Sequence, residues 1–175
     1  KPLYAEWASE EQQSTSLPKS KFSKDMSYWK QKLAGELPLT TFPGDKVRPN
    51  MFTNKGKIIT TFIDNTIVEN VQLVQRNHTL FSTRLSYVFV LLKIYSGESD
   101  LIIGTPVAGR NNSKLGNVIG CFINTLVLRV QLEGHQSFEE IVQVVSNTFM
   151  QAYDHKDAPF DYLVSQLNLP RDTSV

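Results

Sequence analysis

Residues 118–130, Val118-Ile119-Gly120-Cys121-Phe122-Ile123-Asn124-Thr125-Leu126-Val127-Leu128-Arg129-Val130, constrain the fold more than any other stretch of this chain. The run is apolar and rich in β-branched residues, broken only by a glycine, an Asn-Thr pair and an arginine. Its length and β-propensity predict a strand, and the lack of apolar-polar alternation predicts that both faces are buried. A period of two puts Asn124 on the side of Phe122 and Leu126, and Thr125 on the side of Ile123 and Arg129. Leaving an amide unpaired in such a strand costs about 1–3 kcal/mol. Asn124 therefore either ties loops together or faces a wet tunnel.

The 175 residues suffice for one domain with its own core or for half of a larger one. Lysine plus arginine (18) nearly balance aspartate plus glutamate (17), which excludes a nucleic-acid footprint and a partner held mainly by charge. Cys121 is the single cysteine, so an internal disulfide and a cysteine-rich metal site are excluded and a reducing, cytoplasmic setting is expected. No stretch reads as a signal peptide, and none approaches the roughly 18 apolar residues of a membrane span.

Along the chain, residues 4–13 read as a helix carrying an aromatic pair, Tyr4 and Trp7. Ser23 is expected to cap a helix through Met26, Tyr28, Trp29 and Leu33 that stops at Gly35. Residues 36–56 are irregular, because Pro38, Pro43, Gly44 and Pro49 forbid a long helix. Residues 57–63 read as a strand and 67–76 as a polar-faced helix. Thr79 caps a helix with Phe81, Leu85, Val88, Phe89, Leu92 and Tyr95 on a broad apolar face and Gly97 as its stop, which predicts burial. Residues 101–108 form another strand without alternation, confined by Pro106 to an edge or a bulge, and 109–113 a loop. Ser137-x-x-Glu140 is a capping box ahead of Phe138, Ile141, Val142, Val145, Phe149 and Ala152 at helical spacing. Pro159 suits the first turn of a short helix through Phe160, Leu163, Val164 and Leu167. Strands and helices intermixed in this order predict an α/β or α+β sandwich with a mixed sheet covered by helices.

Standard catalytic signatures are missing: there is no nucleophile elbow, phosphate loop, zinc helix or dinucleotide turn. Three scattered histidines, His78, His135 and His155, do not make a metal site. His155 is the one candidate acid or base, with Asp157 beside it to orient the ring; the structural alternative is that the two tie down the turn before Pro159. Arg110 and Arg129 either bind a phosphate or carboxylate or neutralise a buried acid.

Several segments, in order, carry a family resemblance. Ile119-Gly120-Cys121-Phe122-Ile123-Asn124-Thr125-Leu126-Val127-Leu128-Arg129 is similar to Ile-Gly-x-Phe-Val-Asn-Thr-x-x-x-Arg, and His155-Lys156-Asp157-Ala158-Pro159-Phe160-Asp161 to His-Gln-Asp-Tyr-Pro-Phe-Glu. Tyr28-Trp29 through Leu33-Ala34-Gly35 and Leu37-Pro38, and Ile103-Gly104-Thr105-Pro106-Val107-Ala108-Gly109-Arg110, agree as well. Tyr4-Ala5-Glu6-Trp7-Ala8 resembles Tyr-x-Asp-Tyr-Ala-Val-Trp, with Glu6 in place of Asp and Glu10 in place of the final Trp. Arg171-Asp172-Thr173-Ser174 resembles the start of Arg-Asp-x-Ser-x-Asn-Pro. These are motifs of the condensation domain of nonribosomal peptide synthetases, related in fold to chloramphenicol acetyltransferase, and the resemblance covers essentially the whole chain.

In that family two lobes enclose a tunnel. Carrier proteins bring acyl groups on 4'-phosphopantetheine arms to opposite mouths, and the acceptor amine attacks the donor thioester to form an amide. The base belongs to a His-His-x-x-x-Asp-Gly motif, and no adjacent histidines exist here. The resemblance implies that residues 1–175 are the C-terminal lobe, without the catalytic lobe and with no catalytic residue of its own. Gly120, Phe122, Asn124, Thr125 and Arg129 would shape the tunnel wall, and His155, Asp157, Pro159 and Phe160 would support it. No metal and no chain-bound cofactor are implied. The implied partners are the N-terminal lobe and the donor and acceptor carrier proteins, with neither nucleic acid nor membrane. A non-catalytic module that recruits a carrier protein or partner enzyme is the alternative. A lobe parted from its partner surface exposes an apolar face and is expected to self-associate.

Overall fold

The computed structural model describes residues 4–14, 20–44, 51, 56–75, 78–110 and 115–167. Its elements run α1 (Tyr4–Ser14), α2 (Lys21–Lys32), α3 (Asn65–Gln75), α4 (Leu80–Ser96), β1 (Asp100–Ala108), β2 (Ile123–Gln131), α5 (Phe138–Asp154) and α6 (Phe160–Leu167). Pro49, Arg76, the tip of the loop at Asn111 to Ser113 and the segment Arg171 to Ser174 lie outside the described residues. The chain divides into two compact units, one of Lys1–Leu37, Ile102–Arg129 and Met150–Leu169, the other of Pro38–Leu101, Val130–Phe149 and Pro170–Val175. Among the described residues no helix is long and apolar enough to cross a membrane.

Where a signal is contained within one turn, the chain obeys it. Thr79 accepts a bond from the Ser82 N–H at 3.1 Å, and Gly97, at φ 75°, closes α4 by donating its N–H to the Lys93 carbonyl at 2.9 Å. The capping box is made in both directions, with Glu140 N–H on Ser137 Oγ at 3.3 Å and Ser137 N–H on Glu140 Oε2 at 2.7 Å. Asp64 caps α3 through Thr66 N–H at 2.8 Å, and the Thr66 bonds hold its carboxyl below the usual range. One cap differs from expectation: α2 starts at Ser20, whose Oγ accepts the Ser23 N–H at 3.3 Å. Phe22 packs its ring on Tyr162 of α6 at 5.2 Å, which holds the earlier turn helical.

The first unit buries Met26, Trp29 and Leu33 from one face of α2 with Leu163 of α6 and Leu126 and Leu128 of β2. The second buries Leu85, Phe89 and Leu92 of α4 with Ile141, Val142 and Val145 of α5. Each such side chain contributes about 1.5–3 kcal/mol on burial. Thr83 and Ser86 are buried in α4 without loss, since their hydroxyls donate to the Thr79 and Ser82 carbonyls at 3.1 and 2.8 Å. The expectation that α4 is buried all along its broad face is corrected: Phe81, Val88 and Tyr95 are exposed.

Intermixed helices and strands bear out the α/β class. The sheet is a two-stranded antiparallel ribbon among the described residues, instead of the mixed sheet expected. Gly109 N–H meets the Phe122 carbonyl at 2.7 Å and Leu132 N–H the Ser99 carbonyl at 2.8 Å. Equal stretches of the two strands lie between these bonds, so no bulge is inserted. Because N–H groups alternate sides along a strand, the bond from Gly109 places the nitrogen of Pro106 on the side away from β2, where its missing hydrogen costs no ladder bond.

Two strand expectations are corrected. Residues 118–122 are not strand, and Ile119 is 96% exposed; β2 begins at Ile123 and alternates, with Leu126, Leu128 and Val130 buried between half-buried Thr125, Val127 and Arg129. Likewise β1 buries Leu101, Thr105 and Val107 and leaves Gly104 and Pro106 exposed. Residues 57–63 form no strand, because among the described residues nothing supplies a ladder partner.

Candidate functional site

Phe122, Asn124, Thr125, Asp157, Pro159 and Phe160 line a cleft of about 520 Å³ in the first unit together with Tyr4, Trp7 and Glu11, whereas Gly120, Arg129 and His155 lie outside its lining. Asn124 joins its two halves. Its amide nitrogen donates to the Lys156 and Ala158 carbonyls at 2.8 and 2.7 Å, and its Oδ1 accepts the Phe160 N–H at 3.0 Å. Both donors and one lone pair are used, and the last bond satisfies an amide at the head of α6 that no helical carbonyl can reach. The amide thus ties the loop to the strand, and the same residue also lines the cleft.

Pro159 offers its carbonyl to the Leu163 N–H at 3.0 Å and opens α6 as expected. Thr125 stands beside Asn124, its methyl 3.1 Å from where a Cβ on Gly104 would lie. On the other side of the cleft, Phe122 is buried beneath Trp7 at 4.8 Å and Tyr4 at 5.3 Å, with the Arg110 guanidinium 4.3 Å from its ring centre. Arg110 is engaged within the chain. It donates to the carbonyls of Leu115, Val118 (2.9 Å) and Gly120 (3.3 Å), which withdraws those acceptors from any ladder and explains why the strand starts only at Ile123. Gly120 is needed for space: a Cβ there would lie 2.2 Å from the Tyr4 ring, whose hydroxyl donates to the Cys121 carbonyl at 3.2 Å.

Arg129 serves the backbone. Its guanidinium donates to the Ala34 and Glu36 carbonyls at 2.8 and 2.9 Å, securing the chain as it leaves α2, where Gly35 takes φ 79°. For His155 it is the expected partner that is corrected. Its Nδ1 lies 2.7 Å from Oδ1 of Asp25, its ring stacks on Tyr28 at 4.1 Å, and its carbonyl accepts the Trp29 indole N–H at 3.0 Å. The orienting carboxylate is therefore Asp25 of α2, which is 2% exposed; Asp157 pairs with Lys21. Both residues of the turn reach back to α2, so the motif anchors the turn.

Asp25, Glu11 and Cys121 were not singled out as site residues from the sequence. Asp25 carries a signal in retrospect, a charged residue beside Met26 on the helix face that also holds Trp29 and Leu33. Burial, and then the charge of Asp157, push the Glu11 carboxyl above its usual range. Burial chiefly, with Asp154, raises the Tyr28 phenol, and the hydrogen bond with Asp157 raises the Lys21 ammonium. No group of three potential metal ligands occurs among the described residues. The arrangement makes a shaped, partly apolar wall with fixed backbone polarity.

Comparison with known proteins follows the same lines. The profile described as the condensation domain matches residues 1–175. Surfactin synthase subunit 1 of Bacillus subtilis (strain 168) is 36% identical over 155 residues, 87% of this chain and 4% of its own length. Bacitracin synthase 3 of Bacillus licheniformis is 36% identical over 173 residues, 98% of this chain and 3% of its own. The chain thus spans a small part of the curated relatives it matches. A holo four-domain nonribosomal peptide synthetase bound to AMP and glycine superimposes with a TM-score of 0.83 at 27% identity, covering 92% of this chain and 12% of that one. By profile, sequence and fold together, this chain belongs to the condensation-domain family of nonribosomal peptide synthetases.

Proposed function

We propose that residues 1–175 are the C-terminal lobe of a two-lobed, amide-forming condensation domain and supply one wall of its tunnel. The observation that carries this reading is the Asn124 clamp, which makes one surface of the strand motif and the His155 to Phe160 turn. In the reaction the acceptor amine attacks the carbonyl carbon of the donor thioester, the C–S bond breaks, and the departing thiolate takes up the proton released by the amine. This lobe holds the reactants in line, a contribution worth several kcal/mol of barrier. The base lies on the other lobe, in keeping with the lack of adjacent histidines here. Gly120, Phe122, Asn124 and Thr125 shape the wall; Arg129, His155, Asp157, Pro159 and Phe160 brace it. The partners are that lobe and cytoplasmic donor and acceptor carrier proteins bearing 4'-phosphopantetheine. The relatives favour this over a recruiting module, since those compared are synthetases.

The test is reconstitution with a loaded donor and a loaded acceptor carrier protein, followed by mass spectrometry of the product. The purified 175-residue chain is expected to yield no amide, and the complete domain to yield it. Turnover by the chain alone would overturn the assignment of the base to the other lobe.

A further inference from the structure

One stripe of α2 holds the turn that leads into α6. Lys21, Asp25 and Trp29 are spaced by four residues, share a helix face and reach the same turn. Lys21 pairs with Asp157, Oδ1 of Asp25 meets His155 Nδ1 at 2.7 Å, and the Trp29 indole N–H donates to the His155 carbonyl at 3.0 Å. Asp25 is the costly member. It is 2% exposed, and its Oδ2 and the Tyr28 hydroxyl are buried without a hydrogen-bond partner. Taking a carboxylate out of water is offset only where its bonds are good, and an apolar residue in its place often stabilises as well or better. Attachment of the turn does not require the charge, since Trp29 already supplies a bond to the same residue. What the carboxylate alone supplies is orientation. As an acceptor it fixes the hydrogen on Nδ1, and together with the Tyr28 ring, stacked at 4.1 Å and 18°, it fixes the plane of the imidazole.

We propose, resting on the reading of this lobe as one wall of the tunnel, that Asp25 is a positioning residue for amide formation and acts through His155 on the Asn124 clamp. The three groups that Asn124 binds, the carbonyls of Lys156 and Ala158 and the N–H of Phe160, follow His155 by one, three and five residues. Those bonds fix the plane of the Asn124 amide, so its direction in the cleft depends on where the turn begins. That beginning is held from α2 by the ring and the carbonyl of His155. Asp25 and His155 both lie outside the lining of the cleft, whereas Asn124 and Phe160 are part of it. Releasing the ring loosens the first residue of the turn, shifts the adjoining Lys156 carbonyl and rotates the amide that faces the reactants. A misplacement of about 1 Å costs on the order of 100-fold in rate, and the bond from Trp29 limits the movement, so roughly a tenfold loss is expected.

The experiment uses the complete two-lobed domain with loaded donor and acceptor carrier proteins. Asp25→Ala should lower kcat roughly tenfold and leave KM for the acceptor carrier within about twofold. Asp25→Asn, whose amide oxygen still accepts from Nδ1, should recover most of that loss. Adding Asp25→Ala to His155→Phe, which keeps a ring on Tyr28, should lower kcat no further than His155→Phe alone. Val142→Ala, in the core of the other unit, should lower the melting temperature and leave kcat within about twofold. In alkaline buffer the nitrogen-15 resonances of His155, assigned by their loss in His155→Phe, should show the hydrogen on Nδ1 in the parent and in Asp25→Asn, and a change of tautomer in Asp25→Ala. Parental kcat in Asp25→Ala, an equal loss in Asp25→Asn, a further loss in the double variant, or the hydrogen on Nε2 in the parent would overturn the proposal. So would a tenfold loss in Val142→Ala, which would assign the effect to stability alone. An unaltered domain that forms no amide would overturn the tunnel-wall reading itself, and the proposal with it, before any variant is compared.

Discussion

Replacing Asn124 tests whether the clamp organises the site. Asn124→Ala removes two donors and one acceptor, leaving the carbonyls of Lys156 and Ala158 and the N–H of Phe160 to find other partners. A buried group left unpaired costs about 1–3 kcal/mol, but Asn124 is only half-buried and water can reach part of the gap. The expected loss is about 2–4 kcal/mol for the three bonds together, or a fall of roughly 5–15 °C in melting temperature. Asn124→Asp sharpens the test, because it keeps the acceptor toward Phe160 and sets an anionic oxygen against two carbonyls. At neutral pH it should cost at least as much as alanine. That repulsion raises the folded-state pKa of the new carboxyl, so its protonated form stabilises below the unfolded value of about 4 and is lost as pH rises. The aspartate variant should therefore gain on the alanine variant only in acid. Urea titrations of the three proteins at pH 7 and pH 3.5, with exchange of the Phe160 amide, measure this. An alanine loss below about 0.5 kcal/mol, or a neutral-pH aspartate variant as stable as the parent, would refute the clamp.

Gly120→Ala should destabilise by about 1–3 kcal/mol in thermal melts, since its methyl would lie 2.2 Å from the Tyr4 ring, and Tyr4→Ala should make the same change nearly neutral. Burial holds the Glu11 carboxyl above its ordinary value, so its favourable contribution is complete below the unfolded pKa and is lost as pH rises through the folded one. Glu11→Gln is thus expected to match the parent in acid and to exceed it at pH 7, as read by denaturation midpoints; equal midpoints at both pH values would remove the burial argument.

The sequence was most legible where the determining atoms lie within one helical turn. Thr79 with Ser82, Gly97 with Lys93, and Ser137 with Glu140 are local bonds, and all three ends fall where the residues predict. The start of α2 was missed because its first turn answers to Tyr162, far along the chain. The requirement that Asn124 find partners was readable from its apolar surroundings; their identity was not, because Lys156, Ala158 and Phe160 reach it only through the packing of α6. For His155 the sequence neighbour Asp157 was the natural partner, but a turn points successive side chains in different directions, and Asp25 approaches from α2.

The two strand errors have a common physical origin. A helix closes its own hydrogen bonds, whereas a strand exists only if another segment supplies the ladder. Residues 118–122 have β-forming side chains, but Arg110 takes the carbonyls of Val118 and Gly120, and the segment becomes the rim of a cleft instead. Residues 57–63 have the same composition, and nothing among the described residues competes for their backbone. The first segment is irregular because two of its carbonyls are already committed to Arg110, and the second has no ladder partner among the described residues. Adding a strand in the right register can therefore convert only the second, whereas the first keeps its bonds to Arg110 and remains the rim of the cleft.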